Sequence, residues 1–394
     1  MAIPHVTVVG GGLGGLVAAI SVAESGAQVT LHESHQSLGG RWRAAPSPRL
    51  AHDGPHVLYA DGPLYAWLQA RDLLGPTTGV PTRGLARFWF RVGGRLRRIP
   101  PAGLARVMLA RGRAAPVEAS FADWATSSFG AETARLAASA TGVALFHHDP
   151  GELSAAFVWD RFRRALAFTP AARFRIGGWA QLLPALGEHA RALGVVIELG
   201  SRLDRLPDTG VSIVATELEA ARSLLGDDSL DWPSGEVALL DLAVTRARGD
   251  AYLISDLDEA GWFEDFATPD PTMAPVGEVL GQLQLGLRPN ESRVSARLRL
   301  ERLADLAMPN WQDRVTWRRD AVASGRTGAL DHPGRTWRDR PAVDRGDGVF
   351  LVGDRVAAPG LLSEVSWASA VQAAGAAVGE PSVRPTRTGS RGPV

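Results

Sequence analysis

The chain has 394 residues, 45% of them hydrophobic and 21% charged, and its formal net charge is zero. That length calls for two or three domains or one domain with large insertions, and the balance gives no global field to draw nucleic acid. There is no cysteine and no lysine, and all 42 basic residues are arginine. Disulfides, thiolate metal sites, iron–sulfur clusters, a cysteine nucleophile, Schiff-base chemistry and a P-loop lysine are thereby excluded. The most apolar stretch, residues 6–23, has too many glycines for a spanning helix or a signal peptide, so the chain reads as cytoplasmic.

Residues 6–9 (VTVV) predict a short buried parallel strand, 14–25 a helix stopped by Gly26, and 28–33 (QVTLHE) a second strand. Together they make a βαβ unit. A looser segment follows, rich in Gly and Pro, then a helix over 64–73. Residues 83–99 suggest a hairpin, because Gly93-Gly94 suits a two-residue turn of positive φ. The pattern over 101–147 is helical with breaks, and 177–193 reads as a turn and a helix. Short strands are expected in GVVIELG and VSIVAT. Residues 236–300 alternate as strands do, with SDLDEAGWF as a loop between, and 301–307 read as helix. A long loop is expected over 324–348, then a buried strand in GVFLVGD and a last helix in LSEVSWASAVQAAGAAV. The tail 380–394 has the composition of a disordered segment.

The most informative motif is G-x-G-x-x-G at Gly10, Gly12 and Gly15, between a strand and a helix. Gly10 permits the tight turn, Gly12 lets the backbone approach a pyrophosphate, and Gly15 lets the helix pack on the strand. The helix N-terminus, from Leu13 and Gly14 onward, offers N–H groups and the positive dipole end to phosphates. Glu33, ending the second strand and followed by Ser34, is placed to accept ribose hydroxyls and disfavours a 2′-phosphate. The motif alone does not separate NAD from FAD.

With Leu38-Gly39-Gly40-Arg41-Trp42 after the second strand, the chain resembles the FAD-dependent amine oxidase and phytoene desaturase superfamily. In that family a GGR stretch lies along the FAD pyrophosphate, where an arginine fork suits a diphosphate. Three further stretches are similar. Asp53-Gly54-Pro55-His56 looks like the segment passing beside the isoalloxazine ring. Gly177-Gly178-Trp179 and the following GVVIELGSRLDRL resemble the return to the FAD domain, where the residue matching Leu203 holds adenine through its backbone. Gly353-Asp354, then Pro359 to Glu364, resembles the C-terminal motif. There the aspartate binds the ribityl chain, and the helix N-terminus near Gly360, Leu361 and Leu362 faces the flavin ring.

The resemblance implies an α/β fold: a discontinuous Rossmann-like FAD-binding domain from 1–75, 171–235 and 335–379, and a second α+β substrate domain from 76–170 and 236–334 carrying a mixed or antiparallel sheet with helices. It implies FAD as cofactor and dehydrogenation of a lipophilic small molecule by hydride transfer to flavin N5. Many amine oxidases of this superfamily use a lysine to hold a water at N5. This chain has none, which favours the desaturase-like branch, and its length points to a substrate smaller than a carotenoid. A redox-neutral isomerase or mutase, as in UDP-galactopyranose mutase, and a non-catalytic FAD-binding protein are the alternatives. One G-x-G-x-x-G implies no second nucleotide domain, so oxygen or a quinone-like carrier is the expected electron acceptor.

Several readings stay open at this point. His56 is either a proton acceptor or a histidine packed beside the cofactor. Nine of the 12 phenylalanines fall between residues 88 and 174, as an apolar substrate pocket or as ordinary core. Residues 73–117 hold nine arginines and no acid, so 83–113 is either a solvated face or a peripheral contact with anionic membrane. Trp337 to Arg340 either line the site or form a plain loop. His147-His148-Asp149 does not suggest a metal, because adjacent histidines converge poorly on one ion, and no metal is expected.

Overall fold

The computed structural model describes residues 5–54, 57–165 and 171–379. Pro55, His56 and the tail 380–394 lie outside the described residues. A five-stranded parallel sheet runs in the order Val349–Leu351, Val211–Val214, His5–Val9, Gln28–Glu33, Val196–Leu199. Its central strand, His5–Val9, is buried from Val6 onward, as a strand covered on both faces must be. The helices Leu13–Glu24 and Ser363–Ala377 pack together over this sheet. Leu16, Val17 and Ile20 meet the small side chains of Ala370, Ala373, Ala374 and Ala377 in one apolar cluster.

A seven-stranded mixed sheet runs in the order Val315–Ala329, Ser234–Thr245, Glu278–Gly286, Gly261–Asp265, Leu253–Asp256, Phe88–Val92, Arg95–Arg97. Every neighbouring pair is antiparallel except Leu253–Asp256 with Phe88–Val92. The expected hairpin closes at Gly93 and Gly94, with φ of 59° and 72°. One face of this sheet packs Ala238, Leu240, Leu242, Phe263 and Leu283 against the helix Arg293–Ala307. Alternation then turns Val237, Leu239, Asp241, Gln282 and Glu264 to the other face. A small antiparallel sheet joins Val57–Tyr59, Ala172–Arg175 and Thr77–Thr78. The fold class is thus α/β with a parallel Rossmann-like sheet and a second mixed sheet.

Four expectations need correction. The strand-like alternation assigned to 236–300 ends in a helix from Arg293, capped by the Ser292 hydroxyl, which accepts the Ser295 N–H at 3.1 Å. The segment SDLDEAGWF is not all loop, because Ser255 and Asp256 end one strand and Gly261 begins the next. The loop expected from 324 begins only after Ala329, because the long strand Val315–Ala329 holds its register on Ser234–Thr245 past two irregularities. The helix expected over 64–73 is Pro63–Gln69, and Asp72 then takes a positive φ of 55°.

The aromatic-rich stretch is largely core. Phe121, Trp159 and Phe162 are fully buried in one cluster with Leu104, Val107 and Leu153. Beside that cluster lies a buried ion pair. Arg340 donates to Asp331 at 2.9 and 2.8 Å, and the Trp232 indole N–H reaches the same carboxylate at 3.2 Å. Arg340, considered above as a site-lining residue, pairs with Asp331 and also borders a small cavity with Asp354 and Leu362. Asp331→Asn leaves that guanidinium buried without its counter-charge, and we expect a loss of roughly 3–5 kcal/mol in urea unfolding. A loss below about 1 kcal/mol would show that the pair is not the local anchor.

Candidate functional site

The glycine turn sits at the C-terminal end of the central strand. Gly10 has a φ of 106°, and an added Cβ there would meet the Ala215 carbonyl oxygen at 2.6 Å. A Cβ on Gly15 would overlap the Gly10 carbonyl, and one on Gly14 would press on Val352 at 2.8 Å. These three glycines are required by packing. Gly12 is different. Its backbone is extended, with φ −78° and ψ −173°, and a Cβ would find only the Gly40 Cα, at 3.9 Å. No side chain caps the helix that begins at Leu13, and its first turn carries no acid. Its leading N–H groups therefore face an open cradle suited to phosphate.

The GGR stretch is strapped to this turn. Gly39, with a φ of 130°, donates its N–H to the Gly11 carbonyl at 2.9 Å. Arg41 reaches Asp354 across 313 positions of sequence and forms a short ion pair. Burial opposes the Asp354 charge, but Arg41 overrides it and holds the carboxyl below the usual carboxylate range. Trp42 stacks parallel on Trp179, centroids 3.9 Å apart. Gly353 and Asp354 thus meet Arg41 in space, and Gly40 sits beside Gly12.

Glu33 is buried and accepts the Gly11 N–H and the His35 N–H, each at 2.8 Å. Burial opposes its charge, yet those N–H groups and the His35 ring hold it below the ordinary carboxylate range. Ser34 donates its hydroxyl to the same carboxylate at 3.4 Å and is exposed. Leu203 lies in the loop leaving the strand Val196–Leu199. That loop is tied to Glu33 by the Ser201 N–H, which donates to the Glu33 carbonyl at 2.9 Å.

At the other end, Gly360 (φ 122°) and Leu362 (φ 53°) open the helix Ser363–Ala377. Positive φ at leucine is a strained conformation that the surrounding packing must hold. The Leu361 N–H donates to Glu364 at 3.1 Å, and Arg164 clamps that carboxylate at 2.7 and 2.8 Å. An acid at a helix N-terminus is thus neutralised within the protein. Leu362 packs against Phe146, Val237, Leu239 and Ala323, and a Cβ on Gly54 would meet the Phe146 ring at 3.9 Å. Gly54, Phe146, Leu362 and one face of the mixed sheet therefore converge on an apolar wall. Of the described phenylalanines expected to line a pocket, Phe146 is placed on this wall.

The same sheet face carries a polar network that sequence reading missed. Arg319 donates to Asp241 at 2.7 Å and to the His52 carbonyl at 2.9 Å, and Gln282 donates to Asp241 at 2.8 Å. Burial pushes Asp241 up to about 6, against the pull of Arg319. Polar residues at alternate positions inside apolar strands were the available signal. Pro55 and His56, on which the proton-acceptor reading rested, lie outside the described residues. Among the described residues no cluster of three His, Asp or Glu is placed to hold a metal ion. No helix among them is long and apolar enough to cross a membrane.

The comparisons with known proteins agree with this architecture. Residues 8–70 match the family model of an NAD(P)-binding Rossmann-like domain. A stretch of 57 residues is 49% identical to hydroxyneurosporene desaturase of Cereibacter sphaeroides, covering 14% of this chain and 12% of that protein. The chain therefore spans about an eighth of the desaturase it matches. Among solved structures, an oxidoreductase from Methanosarcina mazei aligns at a TM-score of 0.73 with 17% identity, over 93% of this chain and 98% of that one. Cyclohexylamine oxidase from Brevibacterium oxydans aligns at 0.70 with 15% identity, over 96% and 99%. The chain has the fold of these oxidoreductases, built on a Rossmann nucleotide-binding unit. The resemblance to the FAD-dependent amine oxidase and phytoene desaturase superfamily is borne out in the fold and, for the desaturases, in the matched stretch of 57 residues.

Glu264, on the same sheet face, supplies a test of the geometry. It is buried beside the Tyr252 hydroxyl, accepts the Trp262 indole N–H at 3.4 Å, and no arginine pairs with it among the described residues. Burial pushes its carboxyl from 4.5 up to about 7. Between those values the folded chain keeps a proton that the unfolded chain has released, so stability is full at the acid end and falls as pH rises through the window. Glu264→Gln removes this part of the fall, on the order of 2–3 kcal/mol between about pH 5 and pH 8 in urea melts. An unchanged pH slope would mean that Glu264 is already ionised in the folded state.

Proposed function

We propose that the chain is an FAD-dependent oxidoreductase that dehydrogenates a lipophilic small molecule. The observation that carries this reading is Gly12. The fold has room for a side chain there and needs no special backbone, so the open cradle serves a ligand and not the packing. FAD when bound supplies a hydride acceptor at N5. In this reading Gly10, Gly12, Leu13, Gly14 and Gly15 receive the pyrophosphate with Gly39, Gly40 and Arg41. Glu33 and Ser34 take the ribose, and the backbone of Leu203 takes the adenine. Asp354 and Gly353 hold the ribityl chain. Trp42, Gly54, Gly360, Leu361 and Leu362 surround the ring system. The apolar wall of Phe146, Val237, Leu239 and Ala323 supports a lipophilic substrate and exclusion of water. Oxygen or a quinone-like carrier is the proposed electron acceptor.

The first test is the purified protein itself, which should be yellow and release FAD. Gly12→Val should keep its circular dichroism and melting temperature while losing the flavin, since the new side chain meets open space in the protein and a steric block only in the complex. A Gly12→Val protein that retains full flavin content would overturn the placement.

Residues 83–113 are proposed as a peripheral membrane contact. Leu85, Ile99 and Leu109 are 54%, 78% and 78% exposed, and Arg95, Arg97, Arg98 and Arg106 are exposed in the same segment. Flotation with anionic liposomes at low salt should carry the protein upward, and Leu109→Asp should reduce the floated fraction. No flotation of the unaltered chain would end this reading.

A further inference from the structure

A cavity of about 340 Å³ lies at one end of the mixed sheet, where the strand Ser234–Thr245 ends and Glu278–Gly286 begins. That volume is within the range of small-ligand sites. Its walls are of two kinds. Arg87 and Arg246 supply guanidinium groups, and Pro271, Pro275 and Val276 supply apolar surface.

The carboxylates around it are hydrogen-bonded to arginines other than Arg87. Glu278 is held by Arg49 at 2.7 and 2.9 Å. Asp265 is held by Arg246 at 2.9 Å, and Asp250 by Arg314 at 2.7 and 3.0 Å. Each of these carboxylates thus has a hydrogen-bonded guanidinium of its own. Arg87 donates to the Thr268 hydroxyl at 3.1 Å and to the Asp250 carbonyl at 3.4 Å, hydrogen-bonds no carboxylate among the described residues, and shares the field of Asp265 with Arg246. A guanidinium stays charged at any physiological pH and binds carboxylate or phosphate through a planar pair of N–H donors. Val276 is fully exposed, and Leu85, two residues before Arg87, is exposed as well.

We propose that this cavity binds the anionic head group and adjoining carbons of an amphiphile, a carboxylate or phosphate ester on an apolar chain, with Arg87 as its principal cation. The head group pairs with the Arg87 guanidinium, which no internal carboxylate hydrogen-bonds, and the carbons lie on the two prolines and Val276. The inner side of the cavity wall is already occupied. Phe266 and Met273 pack there with Ala51, the Leu50 N–H donates to the Met273 carbonyl at 2.9 Å, and Asp270 accepts the Gly177 N–H at 2.7 Å. The segment 266–275 that lines the cavity is thereby tied to Leu50, Ala51 and Gly177 and not to the amphiphile. The proposal holds whether or not the candidate cofactor site takes FAD.

Isothermal titration of the full chain with decyl phosphate, kept below its micelle concentration, tests this. Decanol and inorganic phosphate are the controls. Saturable binding at least about tenfold tighter than either control is expected, and Arg87→Gln should weaken it about tenfold. Val276→Glu, on a side chain that touches solvent only, should weaken it too by placing a carboxylate at the rim. It decides the matter if Arg87→Gln does not fold. Retention on phosphatidylglycerol vesicles but not phosphatidylcholine vesicles, lost in Arg87→Gln, would assign the head group to a bilayer lipid. Binding of decyl phosphate without vesicle retention would assign it to a free amphiphile. Decyl phosphate binding no tighter than decanol, or equal binding by a folded Arg87→Gln, overturns the proposal.

Discussion

The close approach of the helix Leu13–Glu24 to the central strand His5–Val9 is the constraint on which the rest of the molecule depends. Side chains at Gly10, Gly14 and Gly15 would each drive into backbone or into a core valine, so the helix reaches its position only because those positions are bare. Once there, it is buried along most of its length, against the sheet on one side and the alanine-rich helix Ser363–Ala377 on the other. Its N-terminus consequently opens at the strand ends, beside Gly40 and close to where Asp354 meets Arg41. The ligand cradle follows from packing that has nothing to do with a ligand, and Gly12 is the point at which the packing argument stops.

The mixed sheet solves a different problem. Its strands must bury one face under the helix Arg293–Ala307 and present the other to the nucleotide-binding half. Under the helix the first face is apolar, with Ala238, Leu240, Leu242, Phe263 and Leu283 in one cluster. The second mixes Val237 and Leu239 with Asp241, Gln282 and Glu264, all buried. Buried polar groups of this kind are tolerated only with partners. Asp241 has two, and through Arg319 and Gln282 the network grips the His52 carbonyl, so it also fixes the segment leading to Gly54. Glu264 has the Trp262 indole and the Tyr252 hydroxyl for partners and no cation among the described residues, and burial favours its protonated form.

Legibility in the sequence followed from how local each signal was. The βαβ unit, its glycines, the Gly93-Gly94 hairpin and the last helix could be read because each is specified by neighbouring residues. The helix from Arg293 could not. Val294, Ala296, Leu298 and Leu300 alternate with Ser295, Arg297 and Arg299, which is a strand pattern. The buried set that the fold selects, Ala296, Leu300, Leu303, Ala304 and Ala307, has helical spacing and becomes visible only once the sheet it covers is known. The end of the strand Val315–Ala329 was hidden for the opposite reason. Its Gly325 and Gly328 read as turn residues, with φ of 68° and 86°, yet pairing with Ser234–Thr245 carries the strand through them. The stack of Trp42 on Trp179 joins residues far apart in sequence, and no local pattern announces it.

A chain without lysine settles its buried charges in one way. Every internal cation is a planar guanidinium that stays protonated, so each needs a carboxylate, a carbonyl or an aromatic face. Arg340, Arg299 and Arg314 take carboxylates. Arg161 takes none. It lies 3.4 Å over the Phe157 ring and donates to the Phe157 carbonyl at 3.1 Å, and burial pushes it down only to about 10, so it remains charged. Its partners are internal, the ring and carbonyl of the helix that carries it. Arg87 has a carbonyl and a hydroxyl for partners, shares the field of Asp265 with Arg246, and borders open volume. Partial internal pairing together with access to solvent is what a guanidinium site for an external anion requires.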